Sequence, residues 1–187
     1  RPYRIYCGDR SNFMNLTEKT INSQTKYDGK IIKLNVDEVE LPDGTKSYRE
    51  YVRHSGGAAV LFVKDGKVLL VRQFRYAYGK SIYEIPAGKI DSGEDPLCAA
   101  ARELEEETGY RPKLVHMIDL YPSPGYTDEV IHIYKAVSAE FAKQNLDDGE
   151  FLNTEFIGIE EVMEMIDKGE INDAKTVAAI YKYLAEK

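Results

Sequence analysis

The chain has 187 residues, of which 43% are hydrophobic and 30% charged, a composition typical of a globular domain. Its net charge of −7 disfavours non-specific binding to nucleic acid or to an anionic membrane surface. No apolar run approaches the roughly 20 residues that a membrane-spanning helix needs. Cys7 and Cys98 have no metal-like spacing, and a buried Cys98 thiol is predicted, which favours a reducing cytoplasm.

Residues 1–13 show no clear periodicity, whereas Met14 opens a stretch that resembles a natural start. We therefore predict a non-native leader over residues 1–13, with a genuine flexible N-terminus as the alternative. The remaining chain is predicted to form a strand arm over residues 14–56 and a main domain over residues 57–187.

Both parts contain runs of residues that are typical of β-strands. "GKIIKLNVDEVELPDG" alternates apolar and polar residues, and "TKSYREYVRH" can return as its partner strand, which predicts a β-hairpin arm. Asp65-Gly66 joins two Val/Leu-rich runs into a second hairpin. A short strand, "SIYEIPAG", precedes a central helix, and three more strands precede two C-terminal helices. This order predicts an α/β sandwich.

The central helix lies within "GKIDSGEDPLCAAARELEEETGY", residues 88–110. Asp95 is a good N-cap and Pro96 a good first helical residue, while Gly109 is a good stop. At about 100° per residue, one face is predicted to be apolar and nearly the opposite face acidic. The predicted apolar face consists of Leu97, Ala101 and Leu104, and the acidic face of Glu103, Glu106 and Glu107.

Three carboxylates at i, i+3 and i+4 need an explanation, because each like-charge pair costs about 0.2–0.5 kcal/mol of helix stability. They also crowd the C-terminal half of the helix, where the macrodipole disfavours negative charge. A solvated acidic face is the alternative interpretation. A hard divalent cation removes the conflict, since Mg²⁺ prefers carboxylate oxygens together with water and phosphate. The pattern therefore predicts a metal site.

The same segment resembles the Nudix box, G-x5-E-x7-R-E-U-x-E-E-x-G-U, in which U is apolar. Tyr110 at the last U is the single departure, a bulky, half-polar residue where an aliphatic is usual. The resemblance implies a Nudix-type α/β/α sandwich with a mixed sheet, and hydrolysis of a nucleoside diphosphate linked to another group. The matching residues are Gly88, Glu94, Arg102, Glu103, Leu104, Glu106, Glu107 and Gly109.

The resemblance also implies a ligand set for Mg²⁺, with Mn²⁺ as a substitute. Glu103 and Glu107 would be the main, catalytically essential ligands, Glu106 would support an additional ion, and the Ala87 carbonyl would be a further ligand. Arg102 and Glu94 would orient the ligand carboxylates.

Two other segments are similar to those of ADP-ribose pyrophosphatases. In "SPGYTDE", Glu129 is a candidate for binding ribose hydroxyls, and Ser123 and Gly125 would shape the loop; a plain Pro-Gly turn is the alternative. In "VRQFRYAYGKSIYEIPAG", Arg75 is the candidate for the diphosphate, because a guanidinium can bind phosphate oxygens bidentately. Glu84 would contact substrate or brace the site, and a simple Arg–Glu ion pair is again the alternative.

A third segment, "NLDDGEFLNTEF", supplies the candidate general base. In ADP-ribose pyrophosphatases a glutamate on a loop before the last strand deprotonates the attacking water, and Glu150 matches that position. Asp147 and Asp148 are competitors, and an acidic surface loop is the alternative.

The resemblance extends from about Met14 to the C-terminus and implies a homodimer, since N-terminal arms exchange between subunits in this group. Arg49 would then reach the partner's site, or it is a plain strand arginine. We interpret His54, His116 and His132 as structural.

Together these features predict a cytoplasmic, Mg²⁺-dependent enzyme that hydrolyses ADP-ribose to AMP and ribose 5-phosphate. One alternative is a hydrolase of another nucleotide sugar, such as GDP-mannose. The other is a non-catalytic Nudix-fold nucleotide sensor, a class that typically loses the box glutamates that this chain keeps.

Overall fold

The computed structural model describes residues 14–149 and 151–186. The predicted leader, residues 1–13, and the predicted base, Glu150, lie outside the described residues. The chain divides into two compact units, here called unit 1, which ends at Arg53, and unit 2, which begins at His54. Each unit is described by itself.

Unit 1 contains an antiparallel sheet of β1 (Lys19–Asp28), β2 (Lys33–Glu40) and β3 (Lys46–Arg53), in that order. The predicted hairpin between β2 and β3 is confirmed, with Leu41 N–H bonded to the Thr45 carbonyl at 2.8 Å. The first strand, "KTINSQTKYD", was not predicted. It is exposed along its whole length, so burial imposes no apolar periodicity on its sequence.

Unit 2 is built around a mixed sheet, as predicted. Its order is β10-β5-β4-β9-β8, with β6 paired to β5 and β7 paired to β4. The β4–β9 pair is parallel and the other pairs are antiparallel. The strands are β4 (Gly57–Lys64), β5 (Lys67–Arg75), β6 (Lys80–Glu84), β7 (Ala87–Lys89), β8 (Tyr110–Leu120), β9 (Ile131–Phe141) and β10 (Leu152–Gly158).

Helices cover both faces of this sheet. They are α1 (Pro96–Thr108), α2 (Ile159–Asp167) and α3 (Ala174–Ala185). Successive side chains of β4 point to opposite faces, so Ala58 and Val60 join one apolar cluster with α1, while Ala59 and Leu61 join another with α2 and α3. The predicted sandwich is therefore confirmed. Among the described helices, none is long and apolar enough to cross a membrane.

Helix α1 begins and ends where the sequence predicts. The Asp95 carboxylate accepts a hydrogen bond from Leu97 N–H at 2.9 Å, and Pro96 is the first helical residue. Gly109 has a φ of 79°, a left-handed conformation that costs glycine little, and its N–H donates to the Glu105 carbonyl at 2.8 Å.

The predicted faces of α1 are partly wrong. Leu97 and Cys98 are exposed, so the prediction of a buried Cys98 thiol is also wrong. The small side chains of Ala99 and Ala100 pack in the cluster that contains Ala58 and Val60, and the buried stripe therefore continues through Leu104 to Glu107. One carboxylate of the predicted acidic face thus lies on the buried side of the helix.

Candidate functional site

A cleft of ≈ 230 Å³ lies in unit 2 where the Ala87–Gly88 backbone passes between β6 and α1. Strand β7 holds this backbone in place, because Ala87 pairs with Ala59 and Gly88 with Ala58 of β4. The charged and polar side chains that line the cleft come from distant parts of the chain. They are His54, Arg75, Lys89, Glu129 and Lys175.

Glu107 ties helix α1 to this backbone. Its side chain is 1% exposed, and its Oε2 accepts a hydrogen bond from the Ala87 N–H at 3.0 Å. A buried carboxylate is costly unless its oxygens are hydrogen-bonded. This bond therefore both stabilises Glu107 and fixes the backbone N–H of Ala87, the residue whose carbonyl, in the following peptide group, is the candidate metal ligand.

Glu103 lies directly against Gly88. A Cβ added at residue 88 would overlap the Glu103 carboxylate, so any side chain there would displace it. The first glycine of the box is therefore required by a close approach between the backbone and a candidate ligand. Gly88 and Glu103 together form a cradle that only glycine leaves open.

Arg102 organises the remaining carboxylates of the box. Its guanidinium donates to both Glu94 oxygens at 2.9 and 3.0 Å, to Glu103 at 2.7 Å and to Glu106 at 3.0 Å. Arg102 Nη2 also donates a hydrogen bond to the Lys89 carbonyl at 3.2 Å. The hydrogen bond that Arg102 donates to Glu94 is the largest cause that raises the pKa of Arg102. These are the contacts that an orienting role requires, and one guanidinium serves three carboxylates.

The residues present fit a hard divalent cation by their chemistry. Three carboxylates within two helical turns and one backbone carbonyl form an all-oxygen donor set, which Mg²⁺ and Mn²⁺ prefer. Within residues 14–149 and 151–186, no three His, Cys, Asp or Glu side chains are already gathered around a metal-sized space. Glu103 and Glu106 instead share Arg102, while Glu107 holds the Ala87 N–H.

Arg75 and Glu84 form an ion pair. Arg75 Nε and Nη2 donate to the two Glu84 oxygens at 2.6 and 2.8 Å, and Glu84 is 2% exposed. Burial raises the pKa of Glu84, but the hydrogen bond from Arg75 and the charge of Lys175 outweigh it, so this pKa lies below its usual value. Of the two roles considered for Glu84, this burial favours bracing over substrate contact.

Lys175 is a residue that the sequence did not indicate. Its Nζ donates to Glu84 Oε2 and to Asp173 Oδ1, the latter at 3.1 Å. The lysine stands 91 residues from Glu84 in the chain, so no local motif could reveal the contact. Its only sequence signal is a lysine in the first turn of a helix, beside the N-cap residue Asp173.

The loop of residues 123–129 brings Glu129, but not its other candidates, to the cleft. The Ser123 carbonyl accepts a hydrogen bond from the Tyr126 N–H at 3.2 Å within a turn. Neither Ser123 nor Gly125 lines the cleft. Glu129 Oε1 lies 3.5 Å from His54 Nδ1. His54 also lines the cleft, a position that its interpretation as structural did not anticipate.

The other residues that the sequence analysis singled out are not among those that line the cleft. Arg49 belongs to unit 1, where its guanidinium pairs with Glu18 at 2.8 and 2.5 Å. Asp147 and Asp148 are exposed. His116 Nε2 and His132 Nδ1 both lie 2.8 Å from Asp119 Oδ1, a cluster that joins β8 to β9.

Comparisons with known proteins identify the family of this chain. Residues 52–180 match the NUDIX domain family, and residues 18–52 match the nucleoside diphosphate sugar hydrolase N-terminal domain. The ADP-ribose pyrophosphatase of Bacillus subtilis (strain 168) is 45% identical over 169 residues, which cover 88% of this chain and 91% of that protein. A methanol dehydrogenase activator from Bacillus methanolicus is 44% identical over 167 residues, 87% of this chain and 90% of its own.

A solved structure also matches the fold. A crystal structure described as an ADP compounds hydrolase superposes with a TM-score of 0.81 and covers 94% of this chain and 96% of its own. Because the two sequences are 20% identical, this likeness concerns the fold alone.

Proposed function

This chain belongs to the Nudix family, and from that premise we propose that it hydrolyses the diphosphate of ADP-ribose to AMP and ribose 5-phosphate with Mg²⁺. The observation that carries the proposal is the box, which departs from its pattern only at Tyr110 and in which the Glu103 carboxylate lies on Gly88 beside the buried Glu107. The proposal that ADP-ribose is the substrate is supported by the 45% identity to an ADP-ribose pyrophosphatase over most of both chains.

Four groups would hold the metal: the carboxylates of Glu103, Glu106 and Glu107 and the carbonyl of Ala87. A divalent cation bound there would neutralise the diphosphate and lower the pKa of a coordinated water. Arg102 holds Glu103 and Glu106 in position for this purpose, and the hydrogen bond from the Ala87 N–H to Glu107 holds the residue that carries the carbonyl.

Substrate would be bound by the cleft residues. Arg75, whose side chain is 40% exposed, has the reach and the planar fork to bind diphosphate oxygens. Glu129 would accept hydrogen bonds from ribose hydroxyls, with Ser123 and Gly125 shaping the loop that carries it. Glu84 anchors Arg75 rather than meeting the substrate.

Glu150 would take the proton from the attacking water. It follows Gly149 on the segment that leads into β10, and Asp147 and Asp148 are its competitors. Measuring the reaction rate against pH for Glu150→Gln, Asp147→Asn and Asp148→Asn decides among them. Only the variant that lacks the true base should lose the increase in rate with rising pH.

We place the enzyme in the cytoplasm as a homodimer in which unit 1 forms the exchanging arm. Support comes from the match of residues 18–52 to an N-terminal domain of nucleoside diphosphate sugar hydrolases. Arg49 would then contact substrate in the partner's site. Sedimentation measures the dimer, and Arg49→Met tests the contact through the KM for substrate.

A product assay tests the proposed activity. ADP-ribose, GDP-mannose, NADH and an oxidised nucleotide are each incubated with Mg²⁺ or with chelator, and the products are separated. We expect Mg²⁺-dependent release of AMP from ADP-ribose to be fastest. Faster cleavage of GDP-mannose would keep the family and change the substrate, whereas no turnover of any compound would favour a nucleotide sensor.

A further inference from the structure

Two polar groups at the cleft have no hydrogen-bond partner in the part of the chain that the structure describes. One is Nε2 of His54, whose side chain is 18% exposed, and the other is the carboxylate of Glu129, whose side chain is 27% exposed. Both residues line the cleft. Polar groups that are largely shielded from water are usually hydrogen-bonded, so two unpartnered ones side by side at a cleft indicate a ligand.

The hydrogen bonds of His54 determine which ring nitrogen carries the proton. Nδ1 accepts the Gly56 N–H at 3.1 Å, so its lone pair is in use and the proton of the neutral ring lies on Nε2. The approach of Glu129 Oε1 to Nδ1 at 3.5 Å therefore brings two acceptors together and is not an ion pair. His54 offers a ligand one N–H donor, and Glu129 offers carboxylate oxygens as acceptors.

The ring is held in place beside the loop of residues 123–129. The backbone N–H of His54 donates to Asp128 Oδ1 at 2.9 Å. The bond from the Gly56 N–H closes a tight turn in which Gly56 has a φ of 86°, and the Gly56 carbonyl accepts from the Ile90 N–H at 3.3 Å. The two nitrogens of an imidazole point in different directions. With Nδ1 turned to Gly56, the Nε2 edge of the ring is left for a ligand.

A donor beside an acceptor suits a hydroxyl group, because a hydroxyl both accepts and donates hydrogen bonds. A phosphate oxygen suits the place less well, since the Glu129 carboxylate would repel it. We propose that His54 is a substrate-binding residue whose Nε2–H donates to a sugar hydroxyl of the ligand, next to Glu129. The inference rests on the proposed function in taking a nucleotide sugar as the ligand.

The substitution His54→Asn separates this contact from a structural role. The side-chain oxygen of asparagine can still accept the Gly56 N–H, as in an Asx turn, but no atom of it replaces Nε2. His54→Ala lacks both groups. We expect both variants to bind ADP-ribose about fivefold to tenfold more weakly than the wild type, as measured by calorimetry in the presence of chelator. Wild-type affinity of His54→Asn would show that the ring only closes the turn, and it would overturn the proposal.

His116→Asn is the matched control. His116 lies on β8, its side chain is 51% exposed, and it is not among the residues that line the cleft. This variant should bind ADP-ribose as the wild type does.

Two further ligands identify the group that His54 contacts. If His54→Asn loses affinity for ADP-ribose but not for ADP, the hydroxyl belongs to the second ribose. An equal loss for ADP assigns the hydroxyl to the ribose of adenosine. A similar loss for inorganic diphosphate would show that Nε2 binds phosphate, and it would overturn the proposal.

The test is separate from that of the proposed activity. Affinity in chelator is measured without turnover, whereas release of AMP with Mg²⁺ decides the hydrolysis. A wild type that binds ADP-ribose without hydrolysing it would refute the activity, and the same variants would still test the contact. A wild type that binds neither ADP-ribose nor GDP-mannose would overturn both.

Discussion

Two clusters of arginine and glutamate flank the Ala87–Gly88 backbone, and they differ in charge. In the box cluster one guanidinium, Arg102, serves Glu94, Glu103 and Glu106, so negative charge is in excess. In the second cluster Arg75 and Lys175 meet Glu84 and Asp173, so the charges balance. An excess of carboxylate suits a site that takes up a cation, whereas a balanced cluster has no net negative charge to attract one.

The largest effect should come from the carboxylates that the box cluster has in excess. Glu103→Gln is expected to lower kcat by about 10³-fold at saturating Mg²⁺. The substitution removes a negatively charged ligand and so weakens the binding of the cation that stabilises charge in the transition state. Initial rates of AMP release measure it. Full activity of this variant, or of Glu107→Gln, would contradict the account.

Glu105→Gln is the matched control on the same helix. Glu105 pairs with Arg111 at 2.9 and 2.6 Å and takes no part in the box cluster. Solvent screens a surface ion pair of this kind, so its loss costs little stability and the rate should stay close to that of the wild type.

A smaller effect is expected from the cradle beside the box cluster. In Gly88→Ala the new Cβ would displace the Glu103 carboxylate, and a displacement near 1 Å can cost up to about 100-fold in rate. Gly158→Ala is the control, because nothing lies within 4 Å of its Cβ position and its φ is −56°. Equal rates for the two variants would show that the close approach is unimportant.

The balanced cluster should affect how the free energy of unfolding depends on pH. The pKa of Glu84 is lowered by folding, so its ionised form stabilises the protein above the usual value of 4.5, and this contribution is lost as pH falls through the lower folded value. Urea unfolding of Glu84→Gln should therefore show a shallower loss of stability on acidification. The exposed Glu164→Gln should follow the wild type, and a Glu84→Gln curve parallel to the wild type would refute this assignment.

The smallest effect concerns the helix that carries the box. Asp95→Ala removes the side chain that accepts from Leu97 N–H, and it should lower the free energy of unfolding by about 1 kcal/mol. Asp95→Ser should restore most of it. Thermal or urea unfolding measures both, and an unchanged Asp95→Ala would mean that water caps the helix equally well.

The same comparison explains what the sequence could predict. The box cluster was predictable because Gly88, Glu94 and Arg102 lie close together in the sequence, on strand β7, the turn after it and helix α1, where residue spacing largely determines geometry. The balanced cluster was not, because Lys175 meets Glu84 across 91 residues and only the packing of α3 against β6 joins them. Strand β1 was not predicted for a different reason. Because the strand is exposed along its whole length, its sequence needs no alternation of apolar and polar residues.

The error in the predicted faces of helix α1 also has a physical cause. Helical spacing alone placed Leu97 on the apolar face and Glu107 on the acidic face nearly opposite, but the small side chains of Ala99 and Ala100 turn the buried stripe toward Glu107. A charged residue on the buried side of a helix runs against the usual pattern, and such exceptions concentrate at functional sites.

Direct titration of Mn²⁺ tests the central claim that helix α1 holds a divalent cation. Electron paramagnetic resonance of free Mn²⁺ counts the ions bound by the wild type, by Glu103→Gln and by Glu105→Gln, independently of turnover. We expect Glu105→Gln to bind Mn²⁺ as the wild type does and Glu103→Gln to bind it much more weakly. Equal binding by all three proteins would contradict the account.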